Sequence, residues 1–132
     1  MQQRKVLAVD DDDTILEMYK SGLSVIGYTV ETASRDVEVH EILKRFFPDA
    51  ILMDVNMPDS DGISLCRALR CSDETKDIPV IIVTAHSDER TFHDAMLFGA
   101  ADFLVKPFDI ADIDAKVTSV LAKQEAKRNK KQ

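Results

Sequence analysis

The stretch Ala50-Ile51-Leu52-Met53-Asp54 sets a carboxylate directly after a short apolar run. Three other short apolar runs also end in polar side chains: residues 6–9 precede Asp10 and Asp11, residues 80–83 precede Thr84, and residues 103–105 precede Lys106. Runs of this length that alternate with segments of helical period are typical of β-α units in a parallel sheet. In such a sheet all of these polar groups leave at the carboxyl edge, where binding sites form.

The segments between the runs carry the periodicity and the end signals of helices. In the first of them, apolar residues recur at intervals of three and four; Asp13 or Thr14 is predicted to cap this helix and Gly27 to close it. Ser34 is predicted to cap the second helix. Further helices are expected near residues 62–70, near residues 88–98, and after Pro107.

The composition indicates one compact domain. With 132 residues and 45% hydrophobic content, the chain can bury a core without metal or disulfide staples. We expect the domain to cover residues 1–122, and residues 123–132 to form a basic helix end or a linker. This tail has a net charge of +4 against −11 for the rest, so the body is predicted not to bind nucleic acid. No apolar run approaches the length of a membrane span, and we predict a cytoplasmic protein without a membrane partner.

The two cysteines are predicted to be reduced thiols. Cys66 and Cys71 lie five residues apart on an expected helix, which turns their side chains away from each other. Cys66 is expected to fill space in the core, as free cysteines usually do.

The acidic residues after the first and third runs predict a cation site. A sheet of strand order 2-1-3-4-5 sets these two strands side by side, so that Asp10, Asp11 and Asp54 share one pocket. Two unit charges about 4 Å apart repel by roughly 4 kcal/mol at an effective dielectric near 20, so the cluster needs a cation or must protonate. Mg²⁺ is the expected cofactor, because it takes carboxylates, waters and phosphoryl oxygens. Residues 10–13 taken alone would equally suit a solvated loop with a helix cap.

Lys106 and Thr84 extend this site from a cation pocket to a reaction centre. A carboxylate nucleophile, a divalent metal, an ammonium group and a hydroxyl donor together favour phosphoryl transfer, with Asp54 receiving the group as an acyl phosphate. In isolation, Thr84 could be a locally bonded strand-end residue and Lys106 a surface lysine. Their joint placement favours the site.

The residues that carry this pattern resemble the receiver domain of two-component response regulators over about residues 4–122. The shared motifs are VDDD at residues 9–12, ILMDVNMPDSDG at 51–62, IVTA at 82–85 and GAADFLVKPF at 99–108. The resemblance implies an α/β fold, a flavodoxin-like doubly wound (βα)5 domain whose five-stranded parallel sheet has the order 2-1-3-4-5.

The resemblance also implies roles for individual residues. Asp54 would accept phosphate from a sensor histidine kinase or a histidine phosphotransfer protein. Asp11, Asp54 and the carbonyl of Asn56 would ligate Mg²⁺, and Asp10 would act on the metal largely through water. Lys106 would pair with the phosphoryl group, and its peptide bond to Pro107 is expected to be cis.

A surface switch and a tuned lifetime are implied in the same way. Thr84 and Phe103 would move together on phosphorylation and reshape the face made by the fourth helix, fifth strand and fifth helix, which would meet an output partner or a second copy of the chain. Phe103 lacks the hydroxyl of the commoner tyrosine, so it could equally be a core residue. Asn56 and His86 are expected to flank the path of the hydrolytic water and to set the lifetime of the phosphorylated state. Replacing His86 by alanine should then remove the pH dependence of dephosphorylation near neutrality.

Three other classes of protein share part of the pattern. An aspartyl-phosphate phosphatase of the haloacid dehalogenase type would use Asp10 as nucleophile and Asp12 as acid, but it needs an acidic pair after a later strand. A flavodoxin-like FMN protein needs an uncharged phosphate loop where this chain has four aspartates. A non-phosphorylated binding module with this fold would not need the acidic pair, Asp54, Thr84 and Lys106.

Overall fold

Strands and helices alternate along the chain in the computed structural model, which describes residues 4–57, 60–85 and 89–130. In chain order they are β1 (Lys5–Val9), α1 (Asp13–Val25), β2 (Thr29–Ala33), α2 (Asp36–Leu43), β3 (Ala50–Asp54), α3 (Gly62–Cys71), β4 (Val80–Thr84), α4 (Glu89–Leu97), β5 (Asp102–Val105) and α5 (Ile110–Lys130). Two further strands of two residues each, Asn56–Met57 and Ser60–Asp61, pair antiparallel beyond β3.

The five main strands form one parallel sheet in the order β2-β1-β3-β4-β5, which confirms the predicted topology. The strand register places the polar residues that end or follow the strands at the same level along the edge of the sheet. Val9 lies opposite Met53, so Asp10 and Asp54 follow side by side. Thr84 lies opposite Val105, so Lys106 comes next along that edge. All four groups therefore leave the sheet together, at the boundary where its strand order reverses.

Helices cover both faces of the sheet. Leu16, Leu23 and Val117 of α1 and α5 pack on one face, while Val39 and Leu69 of α2 and α3 pack on the other. The strands β3 and β4 are buried along their whole length, as expected for a parallel sheet between two helical layers. Among the described residues, no helix is both long enough and apolar enough to cross a membrane.

The beginnings of the first two helices differ from the sequence prediction. Asp12, rather than Asp13 or Thr14, caps α1: its backbone is extended and its carboxylate accepts a hydrogen bond from the Thr14 N–H at 2.9 Å. Arg35 occupies the cap position of α2 and makes no side-chain cap bond. Ser34 donates its N–H and hydroxyl to the Glu38 carboxylate, so the acceptor at this helix start is Glu38.

The end of α1 lies close to its predicted position, and α5 continues into the basic tail. Gly27 follows α1 with a φ of 99°, the left-handed conformation that glycine adopts without strain. The basic tail is helical as far as Lys130. The sequence had allowed either a helix end or a linker for this tail.

The cysteines occupy different environments, which predicts different reactivity. Cys66 is buried and Cys71 is exposed. Burial raises the pKa of the Cys66 thiol to about 11, and the nearby Arg70 only partly opposes this effect. Because the thiolate is the reactive species, we expect a disulfide reagent at neutral pH to modify one thiol of the native protein quickly and the second only after denaturation. Replacing Cys71 by serine should abolish the fast phase; a fast phase that survives this change would contradict the assignment.

Candidate functional site

Three carboxylates meet at the carboxyl edge of the sheet. One oxygen each from Asp10, Asp11 and Asp54 lies within 4.8 Å of the others. Asp10 and Asp54 are buried, with exposed fractions of 1% and 5%, and Asp11 is exposed. The pocket predicted from the sequence is therefore present, with two carboxylates in its floor and one at its open side.

Backbone and side-chain bonds fix the Asp10 carboxylate. The Asp10 N–H donates to the Ala33 carbonyl at 3.1 Å, which ties the end of β1 to β2. One carboxylate oxygen of Asp10 accepts the Asp12 N–H at 2.9 Å. Its other oxygen accepts the Lys106 ammonium at 3.1 Å. Asp10 thus connects the turn into α1 with the loop after β5.

Lys106 reaches both buried carboxylates. Its Nζ lies 3.1 Å from Asp10 Oδ2 and 3.5 Å from Asp54 Oδ2. Its backbone N–H donates to the Thr84 carbonyl at 2.8 Å, and its peptide bond to Pro107 is cis, as the resemblance implied. Partial burial alone would lower the pKa of Lys106, but the hydrogen bond to Asp10 and the charges of Asp10 and Asp54 together raise it above its ordinary value. The ammonium group is therefore charged at neutral pH.

The donor set fits a divalent cation. Lys106 offsets one of the three negative charges in the cluster, and a divalent ion would neutralise the two that remain. Carboxylate oxygens are the ligands that Mg²⁺ prefers, and the exposed Asp11 leaves an open side for the waters that Mg²⁺ usually keeps. Asn56 lies two residues beyond Asp54, where its backbone pairs with Asp61.

Gly62 allows the loop after Asp54 to turn back onto the strand that it leaves. A Cβ at this position would collide with the Asp54 carbonyl oxygen and lie 2.7 Å from the Val55 Cα. The Gly62 N–H faces the Val55 carbonyl at 3.5 Å. A side chain here would force the start of α3 and the backbone of Asp54 and Val55 apart, so glycine supports the geometry of the site.

The predicted switch residues occupy the neighbouring strands. Thr84 is fully buried at the end of β4. Phe103 of β5 is half-buried, and its ring meets the Phe92 ring of α4 edge to face, with centroids 5.4 Å apart. His86, which was assigned a role in the lifetime of the phosphorylated state, lies outside the described residues, and that role stays a prediction.

Tyr19 lies beneath the site and was not identified from the sequence as part of it. Its side chain is 1% exposed, and its ring stacks on Phe108, with centroids 6.0 Å apart and planes 8° from parallel. Burial raises the pKa of Tyr19, and the negative charges of Asp10 and Asp54 raise it further. The apolar period of α1 predicted that Tyr19 is buried, but it gave no sign of a contact with a loop far along the chain.

Comparison with known proteins points to one family. The sequence-family model for the response regulator receiver domain matches residues 6–118 of this chain. The response regulator MprA of Mycobacterium leprae is 38% identical over 117 residues, which are 89% of this chain and 50% of that protein. The probable transcriptional regulator ycf27 of Porphyridium aerugineum is 37% identical over 121 residues, 92% of this chain and 49% of that protein. The chain spans about half the length of these curated relatives.

Solved structures agree with this match. The chemotaxis response regulator CheY4 of Vibrio cholerae superposes with a TM-score of 0.84 at 32% identity, over 90% of this chain and 99% of that one. A putative response regulator from Chloroflexus aurantiacus superposes with a TM-score of 0.85 at 35% identity, over 92% of this chain and 99% of that one.

The match covers both Asp10 and Asp54 and nearly the whole sheet, so it leaves no support for the alternative phosphatase of the haloacid dehalogenase type. The strand order, the cluster of carboxylates at the switch point and the Lys106 contact agree with the same family. The chain belongs to the receiver domains of two-component response regulators, a family of signalling domains.

Proposed function

We propose that Asp54 accepts a phosphoryl group from a sensor histidine kinase or a histidine phosphotransfer protein in the cytoplasm. The observation that carries the proposal is the contact of the Lys106 ammonium with the Asp54 carboxylate, 3.5 Å away, beside the carboxylates of Asp10 and Asp11. Asp54, the proposed nucleophile, ends the central strand of the sheet. The Lys106 ammonium and the potential metal pocket lie beside it.

The proposed transfer makes one bond and breaks one. An Asp54 oxygen attacks the phosphorus of a phosphohistidine, a P–O bond forms, and the P–N bond breaks with the imidazole as leaving group. Lys106 stabilises the negative charge on the transferred oxygens, because an ammonium held in a partly buried site acts without reorganising. The Thr84 hydroxyl serves as a further donor to those oxygens.

Asp11, Asp54 and the Asn56 carbonyl would hold a bound Mg²⁺, and Asp10 would contact it through water. When bound, the ion supplies positive charge that offsets the carboxylates and the incoming phosphoryl oxygens. The protein residues contribute the placement: Asp10 and Asp54 are fixed in the floor of the pocket, and exposed Asp11 completes it from the solvent side. The same site would support hydrolysis of the acyl phosphate, with Asn56 and His86 flanking the water.

The signal would leave through the face of α4, β5 and α5. Thr84 and Phe103 are proposed to shift together when the phosphoryl group draws the Thr84 hydroxyl inward. The edge-to-face contact of Phe103 with Phe92 supports this route, since a movement of the β5 ring changes its packing against α4. The partner on this face would be an output protein or domain, or a second copy of the chain.

Incubation with a small phosphodonor tests the proposed chemistry without the cognate kinase. Acetyl phosphate and Mg²⁺ should add one phosphoryl group per chain, detected by intact-protein mass spectrometry. The adduct should be labile to hydroxylamine, as an acyl phosphate is, and should not form when Mg²⁺ is chelated. A hydroxylamine-stable adduct, or none under conditions in which the protein is folded, would contradict the proposal.

A further inference from the structure

Helix α1 contacts the loop that carries Lys106 and the first residue of α5. The Tyr19 ring stacks on the Phe108 ring, with centroids 6.0 Å apart. One turn later, an ideal Cβ on Gly22 would lie 2.5 Å from the Ile110 Cδ1, so a side chain at position 22 would force Ile110 to shift. Phe108 lies two residues after Lys106 in the connection from β5 to α5, and Ile110, four residues after Lys106, is the first residue of α5.

This connecting segment has little backbone support of its own. Residues 106–109 belong to neither β5 nor α5. The Lys106 N–H is bonded to the Thr84 carbonyl at the start, and the Asp109 N–H to the Asp112 carboxylate at the end. Phe108, between these anchors, and Ile110, just after them, pack against the core cluster that contains Tyr19. The position of the loop therefore depends on side-chain packing against α1.

The position of this loop decides where the Lys106 ammonium lies. Its Nζ is within 3.5 Å of two carboxylate oxygens, one from Asp10, which follows β1, and one from Asp54, which ends β3. A shift of the backbone by about 1 Å would lengthen at least one of these contacts, and misplacements of that size can cost up to about 100-fold in rate. A lysine side chain is flexible, so a fixed backbone is what limits its reach.

We propose that Tyr19 and Gly22 are positioning residues for phosphoryl transfer, which hold the segment 106–110 against α1 so that Lys106 stays at the Asp54 carboxylate. The inference rests on the proposed role of Asp54 as phosphoacceptor. Tyr19 contributes the face of its ring, and Gly22 contributes the space that Ile110 occupies.

A double-mutant cycle between Tyr19 and Lys106 tests this inference. The measured quantity is the initial rate of labelling by acetyl phosphate at saturating Mg²⁺. We expect K106A to lower the rate about 100-fold, the cost of removing one preorganised electrostatic partner. Y19L should lower it about tenfold, and the double variant should be no slower than K106A, because Tyr19 acts through Lys106. G22A adds a methyl group that pushes on Ile110, and it should also lower the labelling rate.

Matched variants separate positioning from general stability. Y19F keeps the ring and should label like the wild type. V39A removes methyl groups from the buried core on the opposite face of the sheet, so it destabilises the protein without touching the loop, and its labelling rate should stay unchanged at a temperature where it is folded. The Mg²⁺-induced rise in the unfolding midpoint should be no smaller in Y19L than in the wild type, because Lys106 is not a metal ligand and its displacement removes a positive charge from the cluster. If Y19L fails to fold, F108L removes the other ring of the stacked pair and should give the same loss.

Several results would overturn the inference while leaving the phosphoacceptor role intact. These are wild-type labelling in Y19L or F108L, an equal loss in Y19F, a further tenfold loss in the double variant, and a weakened response to Mg²⁺ in Y19L. Absence of labelling in the wild type would instead contradict the proposed function itself.

Discussion

Asp54→Asn is expected to abolish phosphorylation by acetyl phosphate or by a histidine kinase in the presence of Mg²⁺. The amide is nearly the same shape as the carboxylate but is a far weaker nucleophile, so the fold should persist while the acceptor is lost. Asp54 is buried, ends the central strand and has its Oδ2 3.5 Å from the Lys106 Nζ. Intact-protein mass spectrometry and circular dichroism on the same sample separate loss of the acceptor from loss of the fold.

Asp10→Asn is the matched control for this prediction. It changes a neighbouring buried carboxylate that also contacts Lys106, at 3.1 Å, but leaves the acceptor in place. We expect slower labelling that still reaches completion. Full labelling of the Asp54 variant together with none of the Asp10 variant would move the acceptor to Asp10.

Mg²⁺ is expected to stabilise the folded protein substantially. An ion that binds the native cluster and not the unfolded chain adds RT ln(1 + [L]/Kd) to the free energy of unfolding, about 1.4 kcal/mol at ten times Kd and about 2.7 kcal/mol at one hundred times Kd. The binding energy arises from the three converging carboxylates, whose mutual repulsion the ion removes. Thermal unfolding at increasing concentrations of Mg²⁺ measures the effect.

Asp11→Ala should remove most of this gain. Without Mg²⁺ the variant should be at least as stable as the wild type, because one of three like charges is gone; with Mg²⁺ the wild type should be the more stable protein. Asp13→Ala is the matched control, since Asp13 is an exposed neighbour on α1 outside the cluster, and it should keep the full response to the ion. An equal response to Mg²⁺ in wild type and Asp11→Ala would contradict the assigned ligands.

The sheet and the buried part of the site could be predicted from the sequence because each depends on local pattern. Short apolar runs fixed the strands, and the parallel arrangement then forced Asp10, Asp54, Thr84 and Lys106 onto one edge. The position of a residue at a strand end can be predicted once the strand is known, because the register of the sheet leaves that residue little freedom.

The helix starts were harder to predict, because several neighbouring residues can serve as caps. Asp12, Asp13 and Thr14 all carry a suitable acceptor, and the choice falls on Asp12 because its backbone stays extended after the turn from β1. At α2, Ser34 was the obvious cap, but Glu38 folds back to accept from it. Such choices depend on the local backbone path and not on residue type.

Contacts between distant segments could not be predicted at all. Tyr19 falls on the apolar period of the first helix, but nothing in the sequence pairs its ring with that of Phe108 in the last loop. The same holds for Gly22, whose lack of a side chain matters because Ile110 occupies the space beside it. The support for Lys106 therefore became visible only in the packed structure.

The most direct test of the central claim is to locate the phosphoryl group chemically. Borohydride reduces an aspartyl phosphate to homoserine, so reduction of the labelled protein followed by peptide mass spectrometry marks the acceptor. We expect homoserine at position 54 alone, and only in samples that received both phosphodonor and Mg²⁺. Homoserine at position 10, 11 or any other aspartate, or a labelled protein without homoserine, would contradict the assignment of Asp54.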